Sequence, residues 1–323
     1  MDYSLPISAV LPIYNCKERL ERHLRSVVVW APLVKEIIVV DSGSTDGTLE
    51  LALDVLTSFG ALFIHNPPGL YQSWNAGIAA ATSPWCYIST VEDPISPKGL
   101  THLLEIGDRY QADIVISPPD MMDEDGTLPT DVKMPGNYLS TAFKSLGSDA
   151  RLLTRLETIM TLLGLFPHGL LGSSASNLYR TSLLQENPFP IDLGHCGDTA
   201  FGAIVAPFAN VAFTPVQCAK FLNQTKFRDE MPSSQLHRHH KLEALARSAI
   251  AHSLSSGKIT PSEAAFIIGW FESYSASMST LWNWLNESHL MHLHLQKKYE
   301  GGIFNYLKCM IQDEFQKLTI LRK

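Results

Sequence analysis

Cysteine is scarce in this chain of 323 residues. The five present (Cys16, Cys86, Cys196, Cys218, Cys309) are odd in number, scattered and without a C-x-x-C pair. That excludes a disulfide framework and a cysteine zinc site, and it suits free thiols in a reducing compartment. Positive charge is also short: 25 Lys+Arg stand against 32 Asp+Glu, a net −7, which argues against a general nucleic-acid binder. No apolar run approaches the about 18 residues that span a bilayer. The opening Met1–Pro6 lacks the basic flank and apolar region of a signal peptide. A cytoplasmic protein, soluble or at most peripheral, is the expectation. Neither G-x-G-x-x-G nor G-x-x-x-x-G-K-[ST] occurs at the glycines of residues 39–48, so a phosphate loop is rejected there. Internal repeats and low-complexity tracts are absent too.

What is present is an ordinary globular composition, 45% hydrophobic, enough to bury a sizeable core. Short apolar runs alternate with helical spacings. Strands are expected over Ile7–Pro12, Glu36–Val40, Ala61–His65, Trp85–Thr90 and Asp113–Ser117. Helices are expected over Lys17–Val29, Thr48–Phe59, Trp74–Ala81 and Pro97–Tyr110. The β-branched run Glu36–Val40 shows no polar alternation, as befits a parallel strand covered on both faces. This alternation predicts an α/β fold with a doubly wound, mainly parallel sheet. Further on, Asp123–Gly126 reads as a hairpin tip, Asp149–Leu163 as a helix and Gly172–Tyr179 as a strand. Phe189–Asp198 reads as a loop leading into a helix at Thr199. Arg228–Pro232 reads as a linker, followed by helices over Lys241–Leu254, Pro261–Leu295 and Ile303–Leu321.

Polar residues collect at the expected strand ends: Asn15, Asp41 and the adjacent carboxylates Glu92 and Asp93. Ligands of open α/β sheets bind beyond those ends, so three segments converge on one crevice. Each has a plainer reading. Asp41 could cap its Asp-Ser-Gly-Ser turn, Glu92-Asp93 could be a solvated strand end, and Asp198 could cap a helix.

Four ordered segments carry a resemblance. They are Val10-Leu-Pro-Ile-Tyr-Asn15, Val39-Val-Asp-Ser-Gly-Ser-Thr-Asp-Gly-Thr48, the stretch Gly69–Asp93, and Phe189–Phe201. Together they resemble a family 2 glycosyltransferase with the GT-A fold, over roughly the first 225 residues on domain-length grounds. The resemblance implies a Rossmann-like domain over 1–225 with a helical C-terminal extension over 226–323. It implies that Tyr14 and Asn15 lie beside the donor base, that Asp41 holds the base or ribose, and that Asn75 and Gly77 wall the diphosphate. Pro12 and Ser44, from the same motifs, join the donor site. Glu92 and Asp93 take the place of the metal motif for Mg²⁺ or Mn²⁺, and Asp198 is the general base. The sequence departs from the family pattern in Thr90-Val91-Glu92-Asp93 at the metal motif, in Gly197 beside the base, and in Trp74.

The chemistry asks for these residue types. Inverting transfer needs one carboxylate to take the acceptor proton and a counter-charge for the departing diphosphate. The partners implied are a nucleotide-sugar donor, UDP-sugar by default, and a saccharide or lipid-linked glycan acceptor, as in polysaccharide biosynthesis. Residues 238–323 are locally basic, with 10 Lys+Arg against 7 Asp+Glu. The aromatic stretch within Pro261–Leu295 is read first as packing on the catalytic domain, then as a homodimer interface or peripheral membrane contact. The histidines His237, His239, His240, His289, His292 and His294 read as solvated or packed side chains. One rival is a non-catalytic sugar-nucleotide or glycan-binding protein with a degenerate metal motif. The other, a nucleotidyltransferase, wants a glycine-rich basic loop that Pro12–Lys17 does not offer.

Overall fold

Alternate residues of the central strands point into two different cores, which is how the sheet comes to be covered on both faces. The computed structural model describes residues 4–122, 148–163, 173–222 and 235–265. Its first strands are β1 (Leu5–Ile13), β2 (Val34–Asp41), β3 (Leu62–His65) and β4 (Trp85–Ile88). Ala9, Leu11, Ile37, Val39 and Tyr87 face one core, while Val10, Ile38, Val40, Cys86 and Ile88 face the other.

The first core is closed by α1 (Lys17–Trp30), α2 (Thr48–Leu56) and α4 (Pro97–Tyr110). Leu20, Leu24, Val27 and Trp30 form the inward stripe of α1, spaced three or four residues apart. The second core is closed by α3 (Leu70–Ala80), with Tyr71, Trp74 and Ile78 inward. At Gly77 a Cβ would lie 2.3 Å from Val10 Cγ1, so α3 sits flush on β1 only because that side chain is missing. Each fully buried aliphatic side chain here contributes about 1.5–3 kcal/mol.

The remaining elements are β5 (Ile114–Ile116), β6 (Asp120–Met122), β7 (Arg151–Leu152), α5 (Arg155–Leu163), β8 (Leu178–Arg180), α6 (Thr181–Glu186), α7 (Gly197–Val205), β9 (Val211–Phe213), β10 (Lys220–Leu222) and α8 (Gln235–Ser255). The main sheet runs β3-β2-β1-β4-β8-β5-β9-β7, and β6 pairs with β10 apart from it. The pairs β1–β2, β1–β4, β2–β3 and β5–β9 are parallel, whereas β8 lies antiparallel between β4 and β5. The sheet is α/β and mostly parallel, as the alternation predicts. From β1 the chain moves outward to β2 and β3, then crosses back to β4 on the other side of β1. The β1/β4 boundary is therefore the topological switch point.

Several boundaries differ from the expectation. Residues 149–154 are not helical, because Arg151 and Leu152 pair with Phe213 and Ala212 of β9. The helix starts only at Arg155, behind a reciprocal cap. Thr154 Oγ1 accepts from Glu157 N at 3.2 Å, and Glu157 Oε2 accepts from Thr154 N at 2.8 Å. Residues 174–176 form a 3₁₀ turn ahead of β8, so the strand expected over Gly172–Tyr179 is shorter and later. Helices α3, α7 and α8 begin earlier than expected, at Leu70, Gly197 and Gln235, and β4 ends at Ile88 rather than Thr90. On α8, Ala246 and Ile250 join the α3 core, so the described start of the C-terminal region packs on the main domain. Asp123–Gly126, Arg228–Pro232 and residues beyond 265 lie outside the described residues. No helix among the described residues is long and apolar enough to cross a membrane.

Candidate active site

The site is built from loops that follow the carboxyl ends of β1, β2 and β4. In register, Ile13 lies beside Asp41 and Asp41 beside His65, which sets the tips of three strands in a row. Beyond those tips the 41–48 loop is laced onto the start of α1. Asp41 is buried, and its carboxylate accepts from Gly43 N at 3.0 Å and from Ser44 N at 3.2 Å, with His65 Nδ1 at 3.9 Å. Gly43, at φ +82°, makes the left-handed bend this needs. Ser44 Oγ accepts from Asn15 N at 3.1 Å, and Asn15 Oδ1 accepts from Thr45 N at 2.8 Å. Asp46 accepts from Lys17 N at 3.2 Å and from Thr48 Oγ1 at 2.5 Å, and the Thr48 bond leads in holding its carboxyl below the ordinary range. Pro12 pairs with Val40 one residue before these tips, and Tyr14 is half-exposed beside Asn15. An exposed aromatic beside a turn of backbone amides and a buried carboxylate offers a stacking face and polar partners for a nucleoside.

Opposite, α3 carries the second half of the site. Its first turn lies at the same end of the sheet, because Ser73 Oγ bonds Ser42 Oγ at 2.6 Å, one residue past Asp41. Asn75 clamps the backbone of Phe189: Asn75 Nδ2 donates to Phe189 O at 2.8 Å, and Phe189 N donates to Asn75 Oδ1 at 2.9 Å. The Tyr71 ring stacks on Phe189, with centroids 5.7 Å apart and planes 15° apart. The Tyr71 hydroxyl also lies against Asp198, in the first turn of α7, close enough for each group to shift the other's pKa. Thr199 N donates to Asp198 Oδ1, at 2.7 Å. Burial raises the Asp198 pKa above the carboxylate range, and these neighbours pull it partly back. The Tyr71 hydroxyl is pushed up by burial first and by the Asp198 charge second, so it remains a donor. Gly197, where the sequence departs from the pattern, is explained by packing. A Cβ there would lie 2.5 Å from the Tyr71 ring and 2.6 Å from Pro190 O.

At the tip of β4 the two acids turn apart. Asp93 N donates to Thr90 O at 3.0 Å, and Glu92 adopts φ +78°, in the left-handed region. Glu92 is ion-paired with Arg22 and lies 4.0 Å from Arg19, both on α1. Asp93 is buried, and its Oδ1 accepts from Leu222 N at 3.1 Å and its Oδ2 from Ser173 Oγ at 3.3 Å. Burial pushes its pKa up to about 7. Tyr71, Arg19, Arg22 and Ser173 are not among the residues singled out from sequence. Tyr71 and Asn75 stand four residues apart on one face of α3, a spacing that could have revealed Tyr71.

A family model for glycosyl transferase family 2 matches residues 8–185. The chain belongs to that family. Among its relatives, the succinoglycan biosynthesis protein ExoO of Rhizobium meliloti is 28% identical over 123 residues, 37% of this chain and 35% of that protein. The glycosyltransferase AglE of Haloferax volcanii is 34% identical over 84 residues, 24% of this chain and 28% of that protein. This chain thus spans 35% and 28% of the lengths of those two relatives. The fold is shared with S. aureus TarS 1-349 in complex with UDP-GlcNAc, at TM-score 0.63 and 17% identity, over 83% of this chain and 71% of that one. It is also shared with the mannosyltransferase PcManGT from Pyrobaculum calidifontis in complex with GDP-Man and Mn²⁺, at TM-score 0.50 and 15% identity, over 85% and 81%. In this family 2 glycosyltransferase the fold class is therefore GT-A.

Whether Glu92 and Asp93 suit the Mg²⁺ or Mn²⁺ expected of them is a question of donor geometry. A small divalent cation wants near-octahedral oxygens aimed at a common point. Glu92 is directed at guanidinium groups, and each Asp93 oxygen already accepts a hydrogen bond from the opposite side. Among the described residues no His, Cys, Asp or Glu completes a group of three with them. The pair as folded does not fit a divalent cation.

Proposed function

We propose that this family 2 glycosyltransferase moves a sugar from a nucleotide-diphosphate sugar, UDP-sugar first, to a saccharide or lipid-linked glycan acceptor with inversion. The observation that carries this reading is that Asp198 lies against Tyr71 of α3, the helix whose Ser73 bonds Ser42 just past Asp41. This brings a carboxylate of raised pKa to the sheet end where Asp41, Tyr14 and Asn15 gather. Asp198 accepts the acceptor hydroxyl proton as that oxygen attacks the anomeric carbon. The bond from that carbon to the diphosphate oxygen breaks in the same step, and the nucleoside diphosphate leaves. One displacement inverts the centre, and no second carboxylate nucleophile is required.

Tyr14, Asn15, Pro12, Asp41 and Ser44 serve the nucleoside. Gly77 seats α3, and Asn75 holds the 189–198 segment, so both act by shaping the wall. ExoO, named for succinoglycan biosynthesis, and TarS, complexed with UDP-GlcNAc, support a polysaccharide setting and a UDP-sugar donor. Cytoplasmic action and a domain over 1–225 with a helical extension belong to the same reading. No step is routed through a cation.

The test is calorimetric titration of UDP, GDP, CMP and dTDP and their sugar conjugates into the full chain. Binding of one nucleotide class, weakened at least tenfold by Asp41→Ala, is expected. Absence of binding from folded protein would instead favour a non-catalytic glycan-binding role.

A further inference from the structure

The acids at the tip of β4 behave as fasteners. Glu92 sits in a backbone conformation that L side chains rarely adopt, and its carboxylate is only 6% exposed against α1. Arg22 pairs with that carboxylate and Arg19 lies 4.0 Å from it, so two guanidinium groups gather at the rim of the switch point. Its neighbour Asp93 reaches the other way. It joins the start of the 173–176 turn, through Ser173 Oγ, to β10, through Leu222 N. Strand β10 in turn pairs with β6, register Leu222 to Met122, so Asp93 fixes the small sheet against the crevice. An isolated β-bridge between Ile95 and Ala219 continues the same seam. Three segments distant in sequence, α1, the 173–176 turn and β10, are thus tied through two consecutive residues.

A cation site would require both carboxylates to give up these partners and swing to one point. Removing them would leave the Arg22 guanidinium without this carboxylate and the half-buried backbone N–H of Leu222 without its acceptor. We propose that Glu92–Asp93 is a clasp that shapes the crevice, and that the donor diphosphate is neutralised by guanidinium groups of α1 without a divalent cation at this pair. The part of this concerning the diphosphate rests on the transferase reading. The clasp itself rests only on the hydrogen bonds and ion pairs above.

The test is UDP binding to the full chain by calorimetry, with excess EDTA and again with millimolar Mn²⁺, for the wild type, Asp93→Asn and Arg19→Gln/Arg22→Gln. The clasp predicts UDP dissociation constants within twofold between EDTA and Mn²⁺. It predicts at least tenfold weaker UDP binding in the double arginine variant, and a weakening of UDP binding by high salt in the wild type that is absent from that variant. Tightening of tenfold or more by Mn²⁺, lost in Asp93→Asn, would overturn it. So would unaltered UDP affinity in the double arginine variant. Since that variant removes the Glu92 partners, its fold is checked by circular dichroism, and Arg19→Lys/Arg22→Lys should recover much of the affinity. If no nucleotide binds under any condition, the transferase reading fails. The clasp is then decided by Mn²⁺ paramagnetic resonance on the free chain, where a stoichiometric bound ion lost in Asp93→Asn overturns it and free Mn²⁺ alone supports it.

Discussion

Tyr71 and Asp198, on two different helices, lie against each other at the carboxyl end of the sheet, each shifting the other's pKa. Their approach depends on a close fit. Asn75 grips the backbone of Phe189, Phe189 stacks on Tyr71, and Gly197 leaves room for the Tyr71 ring just before the carboxylate. A carboxylate held this way keeps one orientation, which for the proposed base lowers the entropic cost of reaching the reactive geometry.

Tyr71→Phe keeps the ring and removes the donor. Because that donor lowers the Asp198 pKa, its loss should raise it. The acidic limb of the kcat pH profile should move to higher pH, and kcat at neutral pH should fall about tenfold. An unmoved limb would mean that Tyr71 does not tune Asp198.

Gly197→Ala places a methyl against the Tyr71 ring and Pro190 O. Relieving that overlap should cost about 1–3 kcal/mol in stability by thermal or urea unfolding. Activity should fall with it, since the displaced group is the partner of Asp198. Asn75→Ala should cost about 2 kcal/mol by leaving the Phe189 backbone groups without their amide partner.

His23 offers a pH prediction away from the chemistry. It is buried on α1, with Nε2 2.9 Å from Ser89 Oγ, and burial holds its pKa down at about 4. The unfolded chain takes up the proton near pH 6.5 and the folded chain only near 4. The unfolded state therefore binds more protons between those values, and stability falls as pH drops through that window. The full difference is about 3 kcal/mol. Chemical denaturation between pH 7 and 4 should show this loss in the wild type and a smaller one in His23→Gln. Equal pH slopes would contradict it.

Much of the first 110 residues was legible because its signals are local. Burial on both faces of β2 follows from its apolar run, and Ser96-Pro97 starts α4 where the sequence says, with Ser96 Oγ accepting from Gly99 N at 3.0 Å. The antiparallel insertion of β8 between β4 and β5 was not, since its pairing partners lie far away along the chain. The late start of α5 was announced by Thr154-Arg-Leu-Glu157, a reciprocal cap that apolar periodicity alone overran. In the site, Asp41 and Asp198 stand out as single residues at element ends. The acids at 92 and 93 read as a pair from sequence, yet they diverge because Arg22, on α1, and Leu222, on β10, hold them from opposite sides.

The proposed role of Asp198 in taking the acceptor proton is isolated by a single-turnover transfer assay of Asp198→Asn with radiolabelled donor. Transfer should fall by at least a thousandfold, about 4 kcal/mol of barrier, with nucleotide affinity within twofold of the wild type. Transfer within tenfold of the wild type would contradict it.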